Sequence, residues 1–333
     1  MSHSNSSLNC FANCMAKYKL NYIDHIQPDK ISPHLTFGTM AHDVLYKAGK
    51  LRDEVDDCVV DKDTYYSIIP SEVLYNDLKT TFGINNWEQY FFPIIKKIAQ
   101  YEKEIVQELS KVGNVTIDRE IKMSISPEEF AYKGITGITQ PLVGIIDLLI
   151  RTDKYAVILD YKFSSKRKTQ DDFDMNSQLP IYAMMVHNTF GIPLHNIKYG
   201  YIDIPKQMFD KPVLLSNGTL SRSKSQNVSQ DMYEKSVIAI HGDDEYYNCK
   251  PGGYYHDCWC NLALNTPAYL SLQWLDMEVY NYVTNDIINT AQVVDTMINN
   301  KMTFCKKYDS FSCGSCEYLY KCKPWLTVQN DFE

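Results

Sequence analysis

The sequence predicts an α/β protein, and three observations carry that prediction. Val115–Ser124 (VTIDREIKMS) alternates apolar and polar residues, as a half-buried strand does. Leu142–Ile150 (LVGIIDLLI) and Tyr155–Phe163 (YAVILDYKF) are almost continuous apolar runs, which suits strands covered on both faces. Segments with helical spacing stand on either side, so the order β–β–β–α–β forms a core of about a hundred residues among helices.

Taken in order, residues 7–24 are expected to form a first helix. Thr36–Lys50 follows as a second, with Met40, Val44 and Leu45 at helical spacing. Pro70–Ser110 is helix-like again and densest in apolar and aromatic residues over Tyr90–Ile98. Only the polar connection Arg151–Lys154 separates the two apolar runs, which makes them a buried β-hairpin. Asp171–Phe190 reads as a helix and Ile197–Ile204 (IKYGYIDI) as a further strand. Ser216–Gln230 is rich in Ser and Asn and reads as an exposed loop or insertion, whereas Thr266–Asn300 reads as one long helical segment. Four regions result: 1–110 helical, 111–205 the α/β core, 206–265 an insertion or loop region, and 266–333 a helix followed by a cysteine-rich end. No internal repeat is present.

With 44% hydrophobic and 22% charged residues over 333 positions, the composition is that of a globular chain. No stretch reaches the apolar length of a membrane span. The N-terminus, MSHSNSSLNC, lacks the pattern of a secretory signal, so a cytoplasmic location is expected. The net charge of −8 weighs mildly against a nucleic-acid partner. An enzyme that gathers carboxylates around cations can nevertheless be acidic overall and keep a local basic groove. Ten cysteines are many for a reducing compartment, where structural disulfides are rare. Cys10 and Cys14 stand at the start and Cys305, Cys313, Cys316 and Cys322 near the end, with Cys58, Cys249, Cys258 and Cys260 between. Such clustering points to a metal site.

Chemistry concentrates in the predicted hairpin. Asp147 lies inside VGIIDLL, and Asp160 and Lys162 lie inside VILDYKF. A charge in a buried strand is costly unless it is paired or bound to a metal. Near-opposite residues on adjacent strands are roughly 5 Å apart at Cβ, close enough for two carboxylates to share one cation. Asp160 and Lys162, two apart in one strand, share a face. Hard carboxylate oxygens suit Mg²⁺ or Mn²⁺, and a lysine beside them can orient a water or stabilise a developing anion. The D-x-K tripeptide by itself is common and fits a buried Asp–Lys ion pair with no catalytic role; Asp147 upstream in G-I-I-D adds to the catalytic reading. Gln178 and Tyr182, four apart on the next helix, project from one face.

Gly144–Asp147 (G-x-x-D), Asp160–Lys162 (D-Y-K), Gln178–Tyr182 (Q-x-x-x-Y) and Gly38–His42 (G-x-x-x-H) together resemble the RecB-like branch of the PD-(D/E)XK nuclease superfamily. The motifs occur in that family's order, and the layout is similar to that of the CRISPR-associated exonucleases. The resemblance implies a restriction-endonuclease-like core with a mixed central sheet flanked by helices. It implies that His42, Asp147, Asp160 and the main-chain carbonyl of Tyr161 ligate Mg²⁺ or Mn²⁺, and that Lys162 assists the attack. Gln178 and Tyr182 would contact the substrate strand or support Lys162. Glu120, in the first strand, is a further acidic candidate. The implied activity is hydrolysis of DNA, single-stranded or end-bearing duplex, by an exonuclease, or an endonuclease acting near ends, of recombination, repair or phage DNA metabolism (in the host cytoplasm if phage-encoded).

Cys313-x₂-Cys316-x₅-Cys322 offers three thiolates that need a fourth ligand, for either a tetrahedral zinc or a four-iron cluster. A branch of the same family places one cysteine upstream of the first helix and three near the C-terminus. That layout resembles Cys14 with Cys313, Cys316 and Cys322, and implies a [4Fe-4S] cluster that holds the two ends together. Cys10 and Cys305 compete with Cys14 for the fourth position, and zinc stays open as the alternative metal. Cys258-Trp-Cys260 with His256 (YYHDCWC) is a second local group, expected in an ordinary loop, with a second metal site left open. No G-x-x-x-x-G-K-[ST] loop occurs, so unwinding of duplex would need a helicase or recombination partner. The competing reading is a catalytically silent DNA-binding or scaffold subunit of a helicase–nuclease assembly.

Overall fold

A computed structural model describes residues 1–54, 64, 67–69, 76–164, 168–209, 211–262, 265–307 and 310–322. Five strands form one sheet in the order β1 (Thr116–Ile125), β2 (Leu142–Arg151), β3 (Ala156–Ser164), β4 (Ile197–Pro205) and β5 (Tyr269–Trp274). The β1–β2 and β2–β3 pairs are antiparallel, β3–β4 is parallel, and β5 returns antiparallel on β4, which makes the sheet mixed. The expected hairpin is present. Its turn is closed by Thr152 N–H donating to Tyr155 O at 2.9 Å, while the Thr152 hydroxyl accepts from the amides of Lys154 and Tyr155.

Helices cover both faces, which explains why β2 and β3 are apolar almost throughout. On one face lie α1 (Asn5–Asn13), the crossover helix between β3 and β4 (Gln178–Phe190), and a long helix after β5 (Met277–Asn299). Leu8 and Phe11, Ile181 and Met185, and Ile287 and Val294 pack there with Ile146, Ile158 and Tyr199 of the sheet. On the other face Pro33–Glu54 and Trp87–Leu109 bring Phe37, Val44, Phe91, Ile95 and Ile98 against Leu148, Ile150, Leu159 and Ile202. No described helix is long and apolar enough to cross a membrane.

The chain departs from the sequence expectations at four places. The expected helix over residues 7–24 is broken at Cys14, whose φ of −159° and ψ of 105° are extended. It resumes as α2 (Met15–Tyr18) and a π-helical turn, Lys19–Ile23. Tertiary bonding supports the break, because Ala16 N–H donates to the carbonyl of Cys305. Asp171–Phe190 is likewise two helices, Gln170–Asp174 and Gln178–Phe190. The Asn176 side chain accepts from the amides of Gln178 and Leu179 and restarts the helix. Thr266–Asn300 holds the edge strand β5 before its helix, which is capped by the Asp276 side chain on the amides of Glu278 and Val279. Finally, the loop expected around Cys258 and Cys260 is a helix within the 206–265 insertion. Helices Gln230–His241 and His256–Asn261 enclose a separate small core of Leu220, Val228, Tyr233, Val237, Cys249, Tyr255, Cys258 and Leu262. Cys258 and Cys260 therefore stand on a helix.

Within Pro70–Ser110, the described part contains two helices, Asn76–Phe82 and Trp87–Leu109, divided at Gly83 with φ of +65°. Cys58 and residues 70–75 lie outside the described residues.

A buried ion network fixes the helices on the second face. Arg119 of β1 donates to both oxygens of Glu102 at 2.9 Å and to both oxygens of Asp53 at 2.9 Å. Arg52 adds a bond to Glu102 at 2.7 Å. Burial works against the Arg119 charge, but Asp53 and Glu102 outweigh it and hold the guanidinium firmly protonated. Gly49 gives this side chain its room, since a Cβ there would lie 2.6 Å from Arg119 Cδ and Nε. The network cannot yield without exposing a buried charge, so Gly49→Ala should cost about 1–3 kcal/mol in denaturant unfolding. Gly38→Ala on the same helix, where a Cβ meets nothing within 4 Å, should cost nothing. Equal midpoints for the two variants would contradict this packing.

Candidate active site

The site forms where the hairpin opens. β2 and β3 pair from Arg151↔Ala156 to Leu148↔Leu159, and continuing that register would set Asp147 opposite Asp160. The ladder stops there. Asp147 Oδ2 instead accepts the amide N–H of Tyr161 at 2.7 Å, so a carboxylate takes the place of a strand carbonyl. Asp147 Oδ1 faces His42 Nδ1 at 3.3 Å. His42 comes from the helix Pro33–Glu54, on the face opposite the crossover helix.

Asp160 is only 2% exposed, although the opened hairpin surrounds it. Burial pushes its carboxyl up to about 6, and Asp147 adds to the rise while Lys162 and His42 oppose it. Its Oδ2 lies 2.5 Å from Lys162 Nζ yet makes no well-directed hydrogen bond. Lys162 Nζ donates to Gln178 Oε1 at 3.0 Å, and Gln178 Nε2 donates to the Tyr182 hydroxyl at 2.7 Å. A single chain of polar contacts thus runs from Asp160 through Lys162 to the crossover helix. Gly144 allows that helix to sit so close, because a Cβ there would lie 2.8 Å from the Tyr182 ring and 3.0 Å from Met185 Sδ. The imidazole of His42 is half-buried. Burial lowers its basicity, but the hydrogen bond and charge of Asp147, with help from Asp160, raise it above the ordinary value.

Glu120, the further acidic candidate of the first strand, lies beside this cluster. It interrupts β1 with φ of +44°, a strained value for a residue with a side chain. Arg119 and Ile121 pair normally with Leu148 and Ile146, whereas Glu120 and Asp147 between them do not. Its carboxyl is raised by partial burial and then by the charge of Asp147, with His42 opposing, which places it beside the cluster. No pattern in the sequence announces a strained position. The only legible signal was an acidic residue in a strand neighbouring Asp147.

His42, Asp147, Asp160, Lys162, Gln178 and Tyr182 are therefore brought together, and Tyr161 is held by its own amide. Two carboxylates and an imidazole are donors suited to a hard divalent cation, and the buried Asp160 Oδ2 lacks a well-directed donor. The side chains now balance one another as His42–Asp147 and Lys162–Asp160 pairs. Among the described residues, no three His, Cys, Asp or Glu groups stand together at metal-binding spacing. The same holds for the cysteines. Cys10, Cys14 and Cys316 lie within electrostatic reach of one another, while Cys313 Sγ bonds to the Lys307 carbonyl at 3.2 Å.

The sequence profile of the PD-(D/E)XK nuclease superfamily matches residues 2–323 of the chain. Among solved structures, a candidate exonuclease from Eubacterium rectale is similar at 10% identity and a TM-score of 0.43, covering 96% of this chain and 87% of that one. The protein SSO0001 is similar at 12% identity and a TM-score of 0.26, covering 85% and 84%. No curated protein matches the sequence.

The raised Asp160 carboxyl has a consequence for stability. An acid whose folded pKa exceeds its unfolded value binds more protons when folded, so stability falls as pH rises from about 4 to about 6. Asp160→Asn should melt higher than the parent chain at neutral pH, with the difference shrinking as pH is lowered through that window. Thermal melts across pH in the presence of chelator test this, and a variant less stable at neutral pH would refute it.

Proposed function

The chain belongs to the PD-(D/E)XK nuclease superfamily, and from that premise we propose that it is a divalent-metal-dependent DNA nuclease acting as an exonuclease. The carrying observation is the opened β2–β3 hairpin, which gathers Asp147, Asp160, His42 and Lys162 at one point. Asp147, Asp160 and His42, with the main-chain carbonyl of Tyr161, would hold Mg²⁺ or Mn²⁺. Such a cation supplies a more acidic bound water and charge neutralisation at the scissile phosphate.

The remaining roles belong to the chain itself. Lys162, anchored by Gln178 and through it by Tyr182, keeps a positive charge where it can orient the attacking water and offset charge on the phosphate. Glu120 adds a carboxylate on the exposed side of the cluster. The proposed substrate is DNA that offers an end or a single strand, and any unwinding of duplex would come from outside these residues, which carry no P-loop.

The cysteines belong to the same proposal as a structural staple, a [4Fe-4S] cluster held by Cys14, Cys313, Cys316 and Cys322, with Cys10 and Cys305 as rivals for the first position. Contacts between the two ends support it. Lys17 pairs with Glu317 at 2.8 Å, Asp29 N–H donates to the Glu317 carbonyl at 2.7 Å, and the Tyr318 hydroxyl donates to Asn21 at 3.0 Å. A covalent link between segments so far apart in sequence removes much of the unfolded chain's freedom.

Digestion of end-labelled linear and circular DNA with Mn²⁺ tests the activity and the need for an end together. Lys162→Ala should lose about 10²- to 10⁴-fold in rate and Asp160→Ala at least as much. Unchanged degradation by either variant would remove the site assignment. Protein purified without oxygen should carry iron and absorb visible light, and Cys316→Ser should lose both and melt earlier. A wild-type chain that contains zinc but no iron would sink the cluster.

A further inference from the structure

We propose that a DNA strand bound at the acidic cluster continues along the helix Pro33–Glu54, over Gly38, to Lys206. Lys206, aimed by His34, holds one of its backbone phosphates. This rests on the nuclease reading, and it names residues that grip the strand away from the cut.

The first observation is an ammonium group without a counter-charge. Lys206 follows the last residue of β4, and its Nζ stands 5.6 Å from the ring centre of Phe37 and 5.5 Å from that of Phe82. Its polar partner is His34 Nδ1 at 3.3 Å. An ammonium can only donate, so the imidazole accepts one of its three N–H groups and the others are left for phosphate oxygens. Burial lowers the basicity of Lys206, and no neighbouring carboxylate among the described residues offsets this. A partly buried charge of this kind is costly until an anion joins it.

The second observation is the surface between this lysine and the cut. His34, Gly38 and His42 are spaced four residues apart and line one face of the helix. A Cβ at Gly38 would meet nothing within 4 Å, so open space lies over the helix between the two histidines. Leu35, 66% exposed, stands on the same side and offers an apolar surface to bases. Two half-buried rings run beside it. Phe163 lies 5.5 Å from the His42 ring and 5.6 Å from Phe37, and Phe82 lies 4.8 Å from Phe37. Bases stack on such rings whatever the sequence, because every base has a π-face.

The third observation is the charge along this path. The chain is acidic overall, with a net charge of −8, yet neither Ile31–His42 nor Ile204–Phe209 contains an Asp or Glu. A polyanion that follows these segments meets no like charge from them and one free cation at Lys206.

The spacing suits a strand that is cut at the cluster. β3 and β4 are parallel, Lys162 is paired with Asp203, and Lys206 lies three residues farther on. That is about 10 Å at the rise of a strand. Along the helix, His34 and His42 are separated by about 12 Å. Stacked nucleotides advance about 3.4 Å each, so the phosphate on Lys206 is about three nucleotides from the one attacked. A lysine that served only to cover Phe37 and Phe82 would affect stability and not the salt dependence of DNA binding.

Fluorescence anisotropy of a labelled thymidine strand of about 20 nucleotides, longer than this span, is the test. It is read with Mg²⁺ in full-length chains that carry Asp160→Asn, so that the strand is bound and not cut. Lys206→Met keeps an unbranched side chain over the rings and removes the charge. It should flatten the plot of log affinity against log salt by about 0.7, which weakens binding about fivefold at about 0.1 M salt. Lys206→Arg should restore the slope. Lys111→Ala, two residues from the Gly113 that abuts the hairpin turn, should leave it unchanged. Gly38→Gln fills the open space, so it should weaken binding by about fivefold or more and melt no lower than the parent. An unchanged slope in Lys206→Met, or unchanged affinity in Gly38→Gln, would overturn the path. The nuclease reading survives that result if the chain without Asp160→Asn degrades DNA with Mn²⁺. A chain that neither cuts nor binds DNA would overturn both.

Discussion

The structure turns on one interrupted pair of strands. Between Leu148↔Leu159 and the outer end of the hairpin, β2 and β3 stop exchanging backbone hydrogen bonds, and the Asp147 carboxylate accepts the Tyr161 amide in their place. A strand end opened inside a covered sheet would leave buried N–H groups without partners, at a cost comparable to a lost hydrogen bond. The side chain that prevents this cost is also one that faces His42. Opening the hairpin and building the acidic cluster are thus a single event. The strain at Glu120, opposite Asp147 on the other neighbouring strand, belongs to the same distortion.

Such a cluster persists only if the elements around it cannot relax. On one face, Arg119 binds Asp53 and Glu102 and ties β1 to both long helices, including the one that carries His42. On the other face, the missing side chain at Gly144 lets the crossover helix settle on β2, so that Gln178 and Tyr182 reach Lys162. Buried ion pairs of this kind do not necessarily increase stability, because desolvation offsets much of the attraction. Their effect here is geometric. They leave few alternative positions for the helices that bring functional groups to the sheet.

The periphery is organised by contacts between segments distant in the chain. His3 adds a short bridge to the start of β2 and places its Nε2 3.0 Å from the buried Asp295 on the helix after β5. Asp295 also accepts the amides of Thr139 and Gln140. The C-terminal cysteine segment docks beside these N-terminal residues through Glu317 and Tyr318. The 206–265 unit, by contrast, has a core of its own. Its stability rests on local contacts more than on the sheet.

Local chemistry in the sequence determined much of this protein. The apolar runs at Leu142–Ile150 and Tyr155–Phe163, with a polar link of four residues, specified the hairpin, because strand burial and turn chemistry are written in adjacent residues. Charges at Asp147, Asp160 and Lys162 inside those runs pointed to a candidate site, since ionic groups in apolar strands need a partner or a metal. The tertiary structure decided what depends on distant partners. Cys14 breaks the first helix where Cys305 supplies a carbonyl, β5 forms because β4 offers an open edge, and Glu120 takes a strained conformation because Asp147 leaves its ladder. The cysteines divide in the same way. Cys313-x₂-Cys316-x₅-Cys322 is legible as a local pattern, whereas the approach of Cys316 to Cys10 and Cys14 depends on how the two ends fold together.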